Sequence, residues 1–186
     1  RRAIPMARRS RHKFGRAHCS EVTHVSRLKQ MPILSDEFYM QCAVDLALKA
    51  QNNGEVPVGA VVVDANGTVI GEGANATISN RDATAHAEIL ALRAAGQHMN
   101  NYRLPGCSLY VTLEPCTMCI GAIFHARLSR IMFATPDLKT GACGSAVDLV
   151  NHPKLNHHTQ IEQGVLKETC SHMLSQFFKQ KRQKVV

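Results

Sequence analysis

Two short stretches carry residue types that can hold a metal ion. Thr112 to Ala122 reads TLEPCTMCIGA and contains the only Cys-x-x-Cys of the chain, Cys116 and Cys119. Thr84 to Leu90 reads TAHAEIL and sets His86 and Glu88 two residues apart. A second Cys-x-x-Cys would complete a closed structural zinc site, and the sequence has none. One imidazole and two thiolates make three protein ligands, the count that leaves zinc a fourth position for water. Glu88 then reads as a proton carrier and not a ligand, because zinc lowers the pKa of bound water towards ~7 and a neighbouring carboxylate can collect the proton. A thioredoxin-like redox pair is the alternative reading of CTMC, but the proline before the first cysteine and the flanking pattern fit it poorly.

These residues must be carried on elements that bring them together. Cys116 and Cys119, spaced i and i+3, share one face of a helix predicted to begin just after Pro115. His86 and Glu88 fall in the first turn of another helix, TAHAEILALRAAGQ, with Thr84 as its possible cap and Gly96 near its end. A helix N-terminus carries partial positive charge and favours the thiolate that zinc needs. Between Glu88 and Pro115 lie 26 residues, room for a helix, a loop and a strand. Upstream, SDEFYMQCAVDLALKAQ reads as a helix capped by Ser35, with apolar Phe38, Cys42, Leu46 and Ala50 at helical spacing. VPVGAVVVDANGTVIGEGAN reads as a hairpin around Asn66-Gly67. CSLYVTL and RIMFAT are buried strands, QIEQGVL is a short weak one, and LKTGACGS is a glycine-rich loop. LKETCSHMLSQFFKQKRQK is an amphipathic closing helix. Strands alternating with helices predict an α/β fold, a three-layer α/β/α sandwich on a mixed five-stranded sheet.

Charge is unevenly spread. Of 22 Lys and Arg, nine lie in residues 1–34 against one acid, Glu21, so the net +8 belongs to that segment and residues 35–186 balance. Residues 1–34 show no helical or strand period and read as a basic, disordered extension. Its composition suits a transit segment, an RNA-attracting tail or cloning residue. Because the chain starts with Arg, it is expected to be a processed or partial form. Residues 35–186 form the domain proper. No apolar run approaches the ~20 residues that span a bilayer, and no secretory signal is evident. Seven cysteines in irregular spacing suit a reduced intracellular setting. Cys42, Cys107 and Cys170 read as core fillers, and His125 as a packing or ligand-supporting residue. His152, His157 and His158 read as surface, as do Cys19 and His24.

His-x-Glu followed by Pro-Cys-x-x-Cys is the pattern of zinc deaminases acting on nucleobases. From Ser35 onward the chain resembles the bacterial tRNA-specific adenosine deaminases, with the cytidine-deaminase-like fold. The stretches that carry the resemblance are EVPVGAVVV, VIGEGAN, TAHAEILALR, NYRL, LYVTLEPCTMCIGAIFHARLSRIMF, DLKTGACGS and the Phe-Phe before the basic C-terminus. The zinc core alone would also fit cytidine, cytosine or guanine deaminases; the KTGACGS loop and the Phe-Phe with its basic tail favour tRNA. The resemblance implies zinc held by His86, Cys116 and Cys119, with Glu88 as the acid and base. It implies that Asn75 bonds the flipped adenine and that Asp137 and Lys139 contact the anticodon strand. Phe177 or Phe178 would wall the pocket or stack on a flanking base, and Lys179, Lys181 and Arg182 would track phosphates. The implied reaction is hydrolysis of the wobble adenosine of a tRNA anticodon stem-loop to inosine, in a cytoplasmic homodimer with zinc and no organic cofactor or membrane. A deaminase of free bases or nucleosides, and a non-catalytic zinc-stabilised RNA-binding module, are the other readings. Pro136 before Asp137 and Cys143 in the glycine-rich loop depart from the pattern. They leave the loop's path open and make Cys143 either a small filler or a reactive thiol.

Overall fold

The computed structural model describes residues 34–183. The extension read over residues 1–34, Cys19 and His24 included, lies outside the described residues except for Leu34. Helix α1 (Asp36–Asn52) begins where expected, with the Phe38 N–H donating to the Ser35 hydroxyl at 3.3 Å. Its buried stripe keeps Leu46 and Ala50 of the predicted line but departs from it at Phe38 and Cys42. Phe38 is exposed, Cys42 is half-buried, and the buried face is Tyr39, Met40, Ala43, Val44, Leu46, Ala47 and Ala50. Tyr39 and Met40 take the place of Phe38 at the start of the buried face, and alanines fill much of the rest. The Tyr39 hydroxyl also finds a partner in the Gly67 carbonyl at 2.7 Å.

Strands β1 (Gly59–Val63) and β2 (Val69–Ala74) form the hairpin, with Val63 paired to Val69 after a register shift. Then come α2 (Ala87–His98), β3 (Ser108–Leu113), α3 (Thr117–Ala126), β4 (Arg130–Thr135), β5 (Gln160–Gln163) and α4 (Lys167–Gln183). The sheet order is β2-β1-β3-β4-β5. The β1 pairings are antiparallel, and β3, β4 and β5 run parallel. The five-stranded mixed sheet is as predicted.

Strand alternation sorts the core into two faces. Ala60, Val62, Leu109, Val111, Ile131 and Phe133 pack with residues of α2 and α3 such as Ala87, Ala91, Ile120 and Ile123. Val61, Val63, Tyr110, Met132 and Ala134 pack with α1 and with Cys170 of α4. On that second side Arg130 ties three elements together, donating to Asp36 at 2.8 and 2.9 Å and to Glu162 at 2.7 and 2.8 Å. The Tyr110 hydroxyl joins the same cluster, donating to Asp36 at 2.7 Å.

The approach of α2 to β2 is unusually close. A Cβ on Gly73 would collide with the Ala87 carbonyl oxygen, and one on Gly71 with that of Ala91. Bare backbone at these two positions lets the first turns of α2 lie directly on the sheet. That contact fixes where α2 starts.

Candidate metal centre

Helices α2 and α3 both start at the same end of the sheet, and α3 leaves β3 through Glu114 and Pro115. This places the site beyond the carboxyl ends of the parallel strands, the usual location of ligand crevices in open α/β sheets. Each helix begins one or more residues later than its sequence suggests. His86, not Thr84, is the N-cap of α2, and Cys116 is the N-cap of α3. Thr84 instead donates to Asp82 at 2.7 Å. Neither His86 nor Cys116 uses its side chain to cap, which leaves both free to face each other.

The three donor atoms make a compact triangle. His86 Nδ1 is 3.7 Å from Cys116 Sγ and 3.6 Å from Cys119 Sγ, and the two sulfurs are 3.7 Å apart. A tetrahedral zinc with ~2.3 Å bonds to sulfur and ~2.0 Å to nitrogen has S···S edges of about 3.8 Å and N···S edges of about 3.5 Å. The triangle is therefore one face of a zinc tetrahedron, and the residues fit the ion. Among the described residues no other His, Cys, Asp or Glu group is so placed to hold a metal.

Electrostatics agree with the geometry. The Cys119 thiol and the His86 ring hold the Cys116 thiol down to about 4, while the Cys116 sulfur and burial push Cys119 up. A bonded cation deprotonates coordinating thiols outright, Cys119 included. The neighbouring Cys116 sulfur raises the His86 pKa. Glu88, in the first turn of α2, is only 4 % exposed, and burial pushes its carboxyl up.

A pocket of about 200 Å³ opens on these groups. Val56, Val58, Asn75, Thr77, His86, Glu88, Leu113, Glu114, Cys116, Asp137 and Thr140 line it. Over residues 33–135 the chain matches the cytidine and deoxycytidylate deaminase zinc-binding region. It is 51 % identical over 148 residues to the tRNA-specific adenosine deaminase of Haemophilus influenzae, covering 80 % of this chain and 86 % of that one. The chain belongs to the tRNA-specific adenosine deaminases.

A solved structure from work on A-to-I editing by tRNA:A34 deaminases superposes on this deaminase with a TM-score of 0.71. It shares 40 % identity and covers 74 % of this chain and 99 % of that one. A guanine deaminase from Bacillus subtilis is 33 % identical with a TM-score of 0.54, covering 77 % of this chain and 94 % of that one. The deaminase fold and its zinc centre thus follow from residues and relatives alike.

The other sequence-predicted residues are spread more widely. Asn75, directly after β2, and Asp137 line the pocket. Lys139 sits exposed in the Asp137 loop, its N–H donating to the Asp137 carboxylate at 2.9 Å. Phe177 is buried on α4 with Phe178 edge-on at 5.5 Å, and neither ring lines the pocket. Lys181 lies 5.3 Å over the Phe177 ring and donates to the Gly54 carbonyl at 3.2 Å. Arg182 is exposed at the end of α4.

Pro136 follows the last residue of β4, where Thr135 is already extended and the proline ring is accommodated. Burial pushes the Cys143 thiol up to about 12, and its side chain packs against the core, which favours the filler reading over the reactive thiol. Two expectations for histidines need correction. His125 is exposed, on the outer face of α3, and does not pack against the ligands. His157 is half-buried, its ring 2.7 Å from the Leu128 carbonyl, because the 152–158 segment folds back against the end of α3.

Sequence reasoning missed two buried carboxylates. Glu114 takes donors from the backbone of Asp137, Cys143 and Ser145 at 3.0, 2.8 and 3.2 Å, and from the Ser145 hydroxyl. Glu55 takes the Ile78 and Ser79 N–H groups at 3.0 and 2.8 Å and the Ser79 hydroxyl at 2.7 Å. The available signal was a lone acid inside an otherwise apolar run, in TLEPC and in GEVPV.

Proposed function

We propose that the protein hydrolyses the 6-amino group of the wobble adenosine in a tRNA anticodon loop, giving inosine and ammonia. The observation that carries this reading is the buried Glu88 carboxyl opening on the same pocket as His86 and Cys116, with Asn75 also in its wall. A structural zinc site has no use for such a carboxylate, which weighs against a non-catalytic RNA-binding module.

Zinc held by His86, Cys116 and Cys119 supplies the Lewis acidity that brings a water molecule's pKa near neutrality. The chain's own residues do the rest. Glu88 takes a proton from the water and hands it to adenine N1 as the water oxygen bonds to C6. It then passes the remaining hydroxyl proton to the amino nitrogen, and the C6–N bond breaks to release ammonia. Burial favours the protonated form of its carboxyl, which suits a group that must hold and release a proton within one turnover. The Asn75 amide presents both a donor and an acceptor to the base edge. The pocket has room for one base, so the target must leave its stack, which a loop nucleotide does at low cost.

Asp137 and Lys139 lie on a loop beside the mouth and are read as anticodon contacts. Lys179, Lys181 and Arg182 are read as a phosphate-tracking group. Phe177 and Phe178 support the basic end of α4 in this reading, with Phe178 exposed for a flanking base. Residues 35–186 are taken as the deaminase domain and 1–34 as a basic extension. No helix among the described residues is long and apolar enough to cross a membrane, and the reading puts the protein in the cytoplasm with its tRNA. A homodimer is part of the same reading. An apolar groove of about 720 Å³ between α2 and α3, lined by Ile89, Leu92, Tyr102, Ala122 and His125, suits a second copy.

The test is product analysis on an anticodon stem-loop with a wobble adenosine, free adenosine, and free guanine or cytidine, each with and without a zinc chelator. Chelator-sensitive inosine in the stem-loop alone supports the reading. Turnover of free guanine, the substrate class of the Bacillus subtilis relative, would replace tRNA with a free base.

A further inference from the structure

Glu55 and Glu114 are 1 % and 3 % exposed. Neither forms a salt bridge with any described residue. Neither belongs to the metal triangle. An unpaired carboxylate taken out of water is costly, and only a full set of donors offsets it. Each of these two has such a set, and each set comes from one loop. Glu55 collects Thr77, Ile78 and Ser79. Glu114 collects Asp137, Cys143 and Ser145.

Both loops border the pocket. Thr77 lines it on one side, and Asp137 and Thr140 on the other. The tips of both loops point away from the core, while Ala142 at the base of the second loop is buried in it. Ile78 is 66 % exposed and Leu138 81 %. Gly141 shows how tightly the second loop is seated, because a Cβ there would collide with both the Glu114 carboxyl and the Asp137 carbonyl. The same loop pairs with the α3 start, where the Ala142 N–H donates to the Pro115 carbonyl at 2.9 Å.

We propose that Glu55 and Glu114 are paired positioning residues, each fixing one wall of the substrate mouth so that Thr77 on one side and Asp137 with Thr140 on the other meet the RNA pre-arranged. This rests on the tRNA-deaminase reading for the identity of the substrate, while the loop-holding itself does not. Pre-arranged walls lower the ordering cost of binding. The reacting groups sit on α2 and α3, so the effect falls on binding and not on the chemical step.

Four proteins decide it: wild type, Glu55→Gln, Glu114→Gln, and Glu114→Asp as the conservative rescue. In each glutamine variant an amide N–H₂ is set against N–H donors. Amide hydrogen exchange should quicken at least tenfold in residues 77–79 for Glu55→Gln alone. It should quicken as much in residues 137–145 for Glu114→Gln alone, with zinc content unchanged in both. On a wobble-adenosine stem-loop, KM should rise about tenfold with kcat within about threefold, and Glu114→Asp should recover part of the loss. Exchange that quickens across the whole domain would make the carboxylates ordinary fold-stabilising groups and overturn the proposal. So would local loosening with an unchanged KM, or a fall in kcat that follows zinc loss. If wild type leaves the stem-loop unedited, the substrate reading fails. The exchange pattern alone then judges whether the clamps hold their loops.

Discussion

His86 and Cys116 occupy the same position on two different helices. Each is the residue that caps the helix N-terminus, and each withholds its side chain from the cap. Their donor atoms instead stand 3.7 Å apart. Both helix N-termini thus point their free N–H groups and partial positive charge at the same spot, which favours thiolate and carboxylate there. Cys116→Ser should therefore lose zinc, and not merely activity. Metal analysis after dialysis is expected to find well under one zinc per chain, while Cys143→Ser keeps a full complement.

The close seat of α2 on β2 gives a second expectation. Gly73→Val drives a side chain into the Ala87 backbone, and overpacking of this kind costs about 1–3 kcal/mol. The start of α2 must move, carrying His86 and Glu88 with it. Zinc stoichiometry and Tm should fall together, with Tm lower by on the order of 5 °C. Gly96→Ala, in the last turn of α2 with only the Asn101 carbonyl near, should leave zinc intact and be neutral or slightly stabilising. Calorimetry with metal analysis separates the two.

Much of this site could be read from residue types and spacing, and the reasons are local. Three ligands and a carboxylate are chemically distinctive, and strand-helix alternation constrains where helices can start. The exact helix starts were not legible, because His86 and Cys116 are poor cap residues whose position is set by the glycines of β2 and by Pro115. The α1 stripe was misjudged in its first turns, where Tyr39 and Met40 are buried in place of Phe38 and the Tyr39 hydroxyl has the Gly67 carbonyl as its partner. Glu55 and Glu114 escaped notice since their partners are backbone N–H groups, which have no signature in the side-chain sequence.

Arg130 makes acid stability testable. Its guanidinium holds both the Asp36 and Glu162 carboxyls below their ordinary values. As pH falls the unfolded chain binds those protons first, so the contribution is complete above about pH 5 and lost as pH drops through the folded-state values. Arg130→Met should lower Tm clearly at pH 6. The gap from wild type should narrow as pH falls below the ordinary carboxylate range and through the lowered folded-state values. A gap independent of pH would mean that Arg130 acts through packing alone. Zinc release in acid is common to both proteins and leaves their difference unaffected.

The basic end of α4 predicts a salt effect. Lys181 already bonds the Gly54 carbonyl, which holds its stem while its remaining N–H groups stay available to phosphate. The Lys181→Gln, Arg182→Gln double variant should bind the stem-loop more weakly, with the log Kd against log salt slope shallower by roughly one to two. Its kcat at saturating RNA should be unchanged. An identical slope would remove this helix end from the RNA interface.

The most direct test of the account pairs zinc content with single-turnover inosine formation for wild type and Glu88→Gln on one anticodon stem-loop. Glutamine keeps the shape of the buried side chain but cannot carry the proton. The expected result is one zinc per chain in both proteins, and a rate for the variant lower by at least about a hundredfold. A zinc-loaded Glu88→Gln protein that still makes inosine at the wild-type rate would contradict the account, since Glu88 would not be the proton carrier.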